Sequence, residues 1–234
     1  MKITKFPQSN LIIEENGKYL MIDPGVYTFE KFSAADLGKV DAVLITHEHP
    51  DHFDAEHLKA FTSLPIYANS AVVKLAAKSG IKVNPVQDRV EFEVENFKIL
   101  PIDLAHFQGL WCRGCNNRVT TETITEDGKC GLHMDLEPER RDGPPNTGYV
   151  INGIFFDPGD GIKIADLKIE SAAIPIAGPT VRFPQAWELT KSLGAKRIVP
   201  IHYSAWKADP NEFANQAPEK VEVIVLDDGQ SVEI

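Results

Sequence analysis

The chain has few basic residues for its length. Its 24 lysines and arginines are outnumbered by 34 aspartates and glutamates, which gives a formal net charge of -10 at pH 7. A protein that binds nucleic acid or an anionic membrane non-specifically needs a basic surface, so both partners are disfavoured.

Long apolar runs are also missing. No run approaches the roughly 20 residues that a membrane-spanning helix needs, and Met1–Pro7 lacks the long apolar stretch of a secretory signal. We therefore expect a cytoplasmic protein with no membrane contact. The 234 residues are 43% hydrophobic and 25% charged, which predicts one globular domain over 1–234 with a sizeable core. A homo-oligomer is compatible with this composition.

Cysteine is scarce, and its three copies lie close together. Cys112, Cys115 and Cys130 are followed by His133 in the pattern Cys-x2-Cys-x14-Cys-x2-His. An odd number of cysteines without an export signal argues against disulfides. Two ligand pairs separated by a loop are typical of a structural zinc site. Reduced thiols in an irregular loop and a redox switch are the alternatives.

The polar stretch that carries these cysteines, about residues 109–146, interrupts the apolar pattern of the chain. We interpret it as an insertion that folds apart from the core and that a structural zinc ion would organise. Because it begins just after His106, we expect it to form a wall or lid at the mouth of the site described next.

Histidines are concentrated in one short segment. His47, His49, Asp51 and His52 directly follow the apolar run Leu44-Ile45-Thr46. Imidazole and carboxylate groups at this density suit zinc and neighbouring divalent metals. Three further candidates come at or just past the ends of strand-like runs, where side chains are held rigidly: His106, Asp160 and His202.

Apolar patterns and turn signals predict mainly strands, with few helices. The predicted strands are Leu11–Glu14, Lys18–Ile22, Val40–Thr46, Glu91–Val94, Phe97–Ile102, two within Gly148–Phe156, Arg197–Ile201, Val221–Leu226 and Ser231–Ile234. The predicted helices are Glu56–Phe61, Ala71–Ala77 and Gln185–Leu193. A weak internal echo, Met-Ile-Asp-Pro-Gly at 21–25 and Phe-Phe-Asp-Pro-Gly at 155–159, suggests two similar halves that meet at a shared site.

The order of these motifs resembles the metallo-β-lactamase superfamily of dinuclear metal hydrolases, over most of the chain outside the insertion. Within it, the chain resembles the ascorbate-phosphate lactonase and phosphodiesterase branch in Asn10–Gly25, Gly148–Ile151, Gly159-Asp160, Ile174–Ile176 and Val199–Tyr203. The resemblance implies an α/β (α+β) fold, specifically a four-layer αβ/βα sandwich. It also implies a first metal held by His47, His49 and His106, a second held by Asp51, His52 and His202, and a bridging Asp160.

A hydroxide shared by two divalent metals would then cleave a small ester-like, lactone or phosphodiester substrate, with Asp51 orienting it or protonating the leaving group. Zinc fits the ligands best, and manganese or iron are alternatives. The alternative function is a non-catalytic or redox- or metal-responsive module that acts through the cysteine cluster.

Some assignments remain open at this point. Asp157 rivals Asp160 as the bridge, because Gly161 stands where the family often has Thr; the internal echo favours Asp160, since it pairs Asp157 with Asp23. Asp23 is either a turn residue or a carboxylate that orients a metal-bound histidine. Arg182 and Tyr203 are candidate substrate contacts.

Overall fold

The computed structural model describes residues 1–119, 123–125, 129–164, 166–179 and 181–234, and of Gln108 and Arg140 only the backbone. Two large sheets dominate it. The first has the strand order β17-β1-β2-β3-β4-β5-β6. Its strands are β1 (Lys2–Lys5), β2 (Leu11–Glu15), β3 (Lys18–Ile22), β4 (Ala42–Ile45), β5 (Ile66–Ala68), β6 (Asn84–Pro85) and, from the end of the chain, β17 (Ser231–Glu233).

The second large sheet has the order β16-β15-β14-β13-β12-β8-β7. Its strands are β7 (Phe92–Val94), β8 (Phe97–Leu104), β12 (Asn146–Ile151), β13 (Phe155–Asp157), β14 (Ser171–Pro175), β15 (Arg197–Ile201) and β16 (Glu222–Val223). Strand β12 pairs antiparallel with β8 and β13, so those two run in the same direction, and β13, β14 and β15 are mutually parallel.

Helices cover the outer face of each sheet. They are α1 (Val26–Phe29), α2 (Ala55–Leu58, continued by a 3-10 turn at Lys59–Phe61), α3 (Ser70–Lys78), α4 (Phe183–Leu193) and α5 (Pro210–Ala214). One buried cluster joins the two sheets, a second joins the first sheet to α2 and α3, and a third joins the second sheet to α4 and α5. These three interfaces make the four-layer αβ/βα sandwich, which confirms the predicted fold. None of the described helices is long and apolar enough to cross a membrane.

The two halves are built alike. Each contains an antiparallel hairpin followed by parallel strands: β2-β3-β4-β5 in the first and β12-β13-β14-β15 in the second. The turn of each hairpin is Asn-Gly with positive φ at both residues, 51° and 75° at 16–17 and 53° and 67° at 152–153. This turn type matches the twist of a hairpin. The internal echo in the sequence therefore corresponds to a repeated topology.

A small sheet stands apart from the sandwich. It has the order β10-β9-β11, with β9 (Phe107–Trp111), β10 (Arg118–Val119) and β11 (Glu139–Asp142). We call the segment 107–145 the arm. It corresponds to the predicted insertion, and its own buried cluster consists of Cys112, Val119 and Cys130. The arm leaves the second sheet after β8 and returns to it at β12.

Candidate metal centre

The predicted ligands lie at one edge of the sandwich. His47, His49, Asp51 and His52 occupy the loop after β4, whereas the second sheet supplies one side chain after β8, one after β13 and one after β15. Because β8, β13, β14 and β15 run in the same direction, their carboxyl ends meet at this edge. The two sheets are tied together there: Tyr149 Oη donates to the Ile45 carbonyl at 2.8 Å, and Thr147 N donates to the Thr46 carbonyl at 3.0 Å.

The first group of ligand atoms comprises His47, His49, His106 and Asp160. His47 Nε2 lies 3.1 Å from His49 Nδ1, and Asp160 Oδ2 lies 3.7 Å from Nε2 of both His47 and His106. Zinc–nitrogen bonds of about 2.0 Å at tetrahedral angles place neighbouring ligand atoms about 3.3 Å apart. The spacing of these atoms therefore fits a shared cation.

The second group comprises Asp51, His52 and His202. Asp51 Oδ2 lies 3.0 Å from His202 Nε2 and 3.8 Å from His52 Nε2. Asp160 Oδ1 lies 3.2 Å from each of the same two nitrogens. The carboxylate of Asp160 thus turns one oxygen toward each group.

Hydrogen bonds behind three of the histidines fix which nitrogen of the ring faces the site. His52 Nδ1 lies 2.6 Å from Asp23 Oδ2, and Asp23 also accepts from the backbone N and the Oγ1 of Thr46. His202 Nδ1 bonds the Ala177 carbonyl at 2.6 Å, and His106 Nδ1 bonds the Pro144 carbonyl at 3.2 Å. Such partners hold the tautomer and the orientation of metal-binding histidines. Asp23 has the orienting position that the sequence suggested.

Charge and burial at this edge favour a bound cation. Burial lowers the pKa of His47, and likewise the pKa of His49 and His106, so these rings are neutral and can offer a lone pair. Burial also opposes a charged His52, but the carboxylates of Asp160, Asp23 and Asp51 raise its pKa. Within the described residues, the buried His52 Nε2 and Asp160 Oδ1 have no hydrogen-bond partner. Orphaned buried polar atoms that converge in this way fit a divalent metal.

Asp157, the rival bridge, belongs to neither ligand group. Its Oδ1 accepts from Gly159 N at 2.8 Å, and burial raises its pKa to about 7. The following turn is held by Asn146, whose Oδ1 accepts from Asp160 N at 3.1 Å and whose Nδ2 donates to the Pro158 carbonyl at 2.9 Å. This turn carries Asp160, and not Asp157, to the ligand groups.

Gln8 is a contact that the sequence did not reveal. Its Nε2 donates to Asp51 Oδ2 at 3.1 Å, and its Oε1 accepts from Ala205 N at 3.2 Å. Its carbonyl accepts from His202 N at 2.9 Å. No motif surrounds Gln8 in the sequence, so nothing there pointed to it.

The two candidate substrate contacts lie outside the ligand groups. Arg182 is exposed, and its Nη1 donates to the carbonyls of Gly178 and Val181 at 2.5 and 2.8 Å. It lines a groove of about 510 Å³, together with Trp206 and with Ala177, the residue that holds His202. Tyr203 is half-buried, its Oη donates to the Leu226 carbonyl at 3.3 Å, and burial raises its pKa to about 12.

The arm contains a separate ligand group of Cys112, Cys115, Cys130 and His133, whose ligand atoms all lie within 4.8 Å of one another. The cysteines are free thiols. Backbone N–H groups of Cys115 and Gly114 lower the pKa of the Cys112 thiol to about 7. The pattern predicted from spacing therefore comes together in space.

Comparisons with known proteins agree with this architecture. Residues 2–202 match the profile of the β-lactamase superfamily domain. The chain is 31% identical over 248 residues to a UPF0173 metal-dependent hydrolase from Nanoarchaeum equitans, covering 100% of both chains. It is 25% identical to a Pyrococcus furiosus relative of the same description, covering 94% of each. In fold it is similar to a metallo hydrolase from Ignicoccus hospitalis, with a TM-score of 0.71, 22% identity and coverage of 99% and 97%.

Proposed function

The chain belongs to the β-lactamase superfamily domain family and is a metal-dependent hydrolase of that fold, and from this premise we propose that it works with two divalent metals. His47, His49 and His106 would hold one, Asp51, His52 and His202 the other, and Asp160 would bridge them. The observation that carries this proposal is the placement of the Asp160 carboxylate, with Oδ2 toward the first group and Oδ1 toward the second. Zinc suits the ligands best, with manganese or iron as alternatives.

When bound, a metal pair supplies a nucleophile at neutral pH by lowering the pKa of water, and it polarises the oxygen of the bond to be cleaved. The protein contributes rigid positioning. The Asp23 carboxylate orients the imidazole of His52, and the carbonyls of Ala177 and Pro144 orient those of His202 and His106. Gln8 donates a hydrogen bond to Asp51. The Asp51 side chain is 20% exposed, against 9% for Asp160, so Asp51 is the carboxylate placed to orient the attacking water.

We propose a small ester, lactone or phosphodiester as the substrate class. The groove lined by Arg182 adjoins the site through Ala177, which supports Arg182 as an anion contact. Tyr203 is a weaker candidate for contacting the substrate, because its hydroxyl donates to the Leu226 carbonyl. A cytoplasmic location and a homo-oligomer stay predictions.

The bridge is tested with a matched pair, Asp160→Asn and Asp157→Asn. We expect Asp160→Asn to lose at least one metal per chain by elemental analysis, and to lower hydrolysis of a chromogenic phosphodiester, ester or lactone by at least about 100-fold. Asp157→Asn keeps the acceptor for Gly159 N, so it should retain both metals and most activity.

Two results would contradict the proposal. If the two variants lose metal equally, Asp160 is not the bridge. If the wild type, after reconstitution with zinc, manganese and iron, binds fewer than two metals beyond any metal held by the cysteine cluster, the dinuclear site is wrong. The second result would favour a non-catalytic or redox- or metal-responsive module that acts through the cysteine cluster.

A further inference from the structure

The described part of the arm has too little apolar interior to hold its own shape. Its buried cluster contains only Cys112, Val119 and Cys130 among the described residues, with a few half-buried neighbours. Leu132 and Met134, near its tip, are 82% and 63% exposed. Small polar segments of this kind usually need a disulfide or a metal to order them, and the three thiols here are free.

The four ligand side chains of the arm stand on two tight turns. In the first turn, Asn116 N donates to the Cys112 carbonyl at 2.9 Å and Gly114 N to Cys112 Sγ at 3.3 Å. In the second turn, His133 N donates to the Cys130 carbonyl at 2.9 Å. Both turns aim their ligand atoms inward, as a closed zinc site requires.

The distances also fit zinc. Cys112 Sγ lies 3.4 Å from His133 Nδ1, and a tetrahedral zinc with bonds of about 2.3 Å to sulfur and about 2.0 Å to nitrogen holds such a pair about 3.5 Å apart. The two turns pack closely, because a Cβ on Gly114 would come within 2.4 Å of the His133 ring. Glycine at this position therefore lets the imidazole reach the sulfurs.

Both ends of the arm contact the core metal ligands. His106 immediately precedes β9, and its carbonyl accepts from Gly143 N at 2.8 Å. Its ring bonds the Pro144 carbonyl at 3.2 Å, and the Pro145 carbonyl accepts from Asn69 Nδ2, which also donates to Thr46 O beside His47. The strand pairing of β9 with β11 keeps these ends together.

We infer that Cys112, Cys115, Cys130 and His133 hold a structural zinc ion, and that this ion fixes the arm so that Gly143 and Pro144 hold His106 in its ligating orientation. The first part stands on the arm alone. The second part rests on the proposed dinuclear function, because it concerns the affinity of the site that contains His106.

Cobalt substitution tests the first part without any assay of activity. The proposed core ligands are nitrogen and oxygen atoms, so a thiolate-to-cobalt charge-transfer band reports only the arm. We expect this band in the wild type, a strongly reduced band in Cys115→Ala and a retained band in His133→Cys, which keeps four ligands. Arg113→Ala, an exposed position in the same turn, is the matched control and should leave the band unchanged. The absence of a thiolate band in the wild type would overturn the site.

Chelator competition tests the second part on the same proteins. We expect Cys115→Ala to lose one zinc and to bind a core metal at least about 10-fold more weakly, the effect typical of losing an orienting partner. Unchanged core affinity in a folded Cys115→Ala would overturn the link to His106. A wild type with the thiolate band but without two core metals would instead refute the dinuclear proposal and leave the arm site standing.

Discussion

At the level of single residues, Gln8 connects the two loops that carry the candidate ligands Asp51 and His202. It is buried, has φ of 61°, donates to Asp51 and accepts from Ala205 through one amide group. Its carbonyl accepts from His202 N, and His202 itself has φ of 59°. A residue with this uncommon backbone conformation, whose side chain makes two hydrogen bonds and whose carbonyl makes a third, is positioned by its surroundings. Gln8 is therefore a positioning residue for Asp51 and His202, two ligands of the proposed second metal.

We expect Gln8→Ala to weaken binding of the second metal by about 10- to 100-fold, because Asp51 loses a hydrogen bond that orients it. Metal titration with a chromophoric chelator measures the effect, and binding of the first metal should change less. Ser9→Ala is the control, since Ser9 is an adjacent buried residue whose Oγ has no hydrogen-bond partner within the described residues. Equal affinities for Gln8→Ala and the wild type would show that Asp51 is oriented without Gln8.

Which side chains come together at the candidate metal centre was predictable from the sequence, but the orientation of their ligand atoms was not. The spacing His-x-His-x-Asp-His has a chemical reason, and His106, Asp160 and His202 follow apolar strands, so the ligand groups come together as expected. The choice between Asp157 and Asp160 depends on the turn that Asn146 stabilises through hydrogen bonds to Pro158 and Asp160. These bonds span 12 and 14 residues, so a local sequence pattern does not contain them. Gln8 was missed for the same reason, because its role depends on long-range contacts.

At the level of elements, the turn that follows β3 packs directly against the loop that follows β4. Gly25 N donates to the Asp23 carbonyl, and Val26 N donates to the Pro50 carbonyl at 2.9 Å. A Cβ on Gly25 would lie 2.0 Å from the carbonyl carbon of Asp51 and 2.5 Å from His52 N. The loop after β4, which carries four candidate metal ligands, can take its observed path only because residue 25 has no side chain.

Gly25→Ala should therefore push the loop away from its partners. We expect a loss of about 1 to 3 kcal/mol in the free energy of unfolding, typical of overpacking against a rigid backbone, together with weaker binding of the metal held by Asp51 and His52. Urea unfolding of the metal-free protein and chelator competition measure the two effects. Gly131→Ala, whose Cβ would meet Thr123 O at 3.5 Å and no other atom of the described residues within 4 Å, should leave core metal affinity near the wild-type value. A Gly25→Ala protein with wild-type stability and affinity would mean that the loop adapts freely.

Elements with strong local signals were predicted well, and elements without them were missed. The hairpins at Asn16-Gly17 and Asn152-Gly153 and the helices α3 and α4 match their predicted ranges to within a few residues. Strand β14 has the sequence Ser-Ala-Ala-Ile-Pro, and its small residues are buried between parallel neighbours rather than forming an apolar run. Helix α5 has only five residues and depends on the cap Asp209. Whether such elements form depends on their burial in the tertiary structure, which a short stretch of sequence does not reveal.

At the level of the whole molecule, the proposed metal centre joins two similar halves. The first sheet contributes the loop with His47, His49, Asp51 and His52, and the second contributes His106, Asp160 and His202. Each half has a hairpin, then parallel strands, with the ligands at the strand ends. Ligands from both sheets mean that neither half can complete the site alone. Metal binding should consequently stabilise the association of the halves as well as the loops.

Metal removal should therefore lower the thermal stability of the entire chain. A ligand present at about 1,000 times its dissociation constant stabilises the folded state by about 4 kcal/mol per site, and for a chain of this size each kcal/mol shifts Tm by roughly 2 to 4 °C. We expect chelation to lower the wild-type Tm by at least about 8 °C in differential scanning calorimetry. Chelation also removes the metal proposed for the arm, so Asp160→Asn, which retains the cysteine cluster, serves as the comparison. On chelation, the Tm of Asp160→Asn should fall by a smaller amount than the Tm of the wild type. Equal shifts in the two proteins would place the stabilising metal in the arm and not between the sheets.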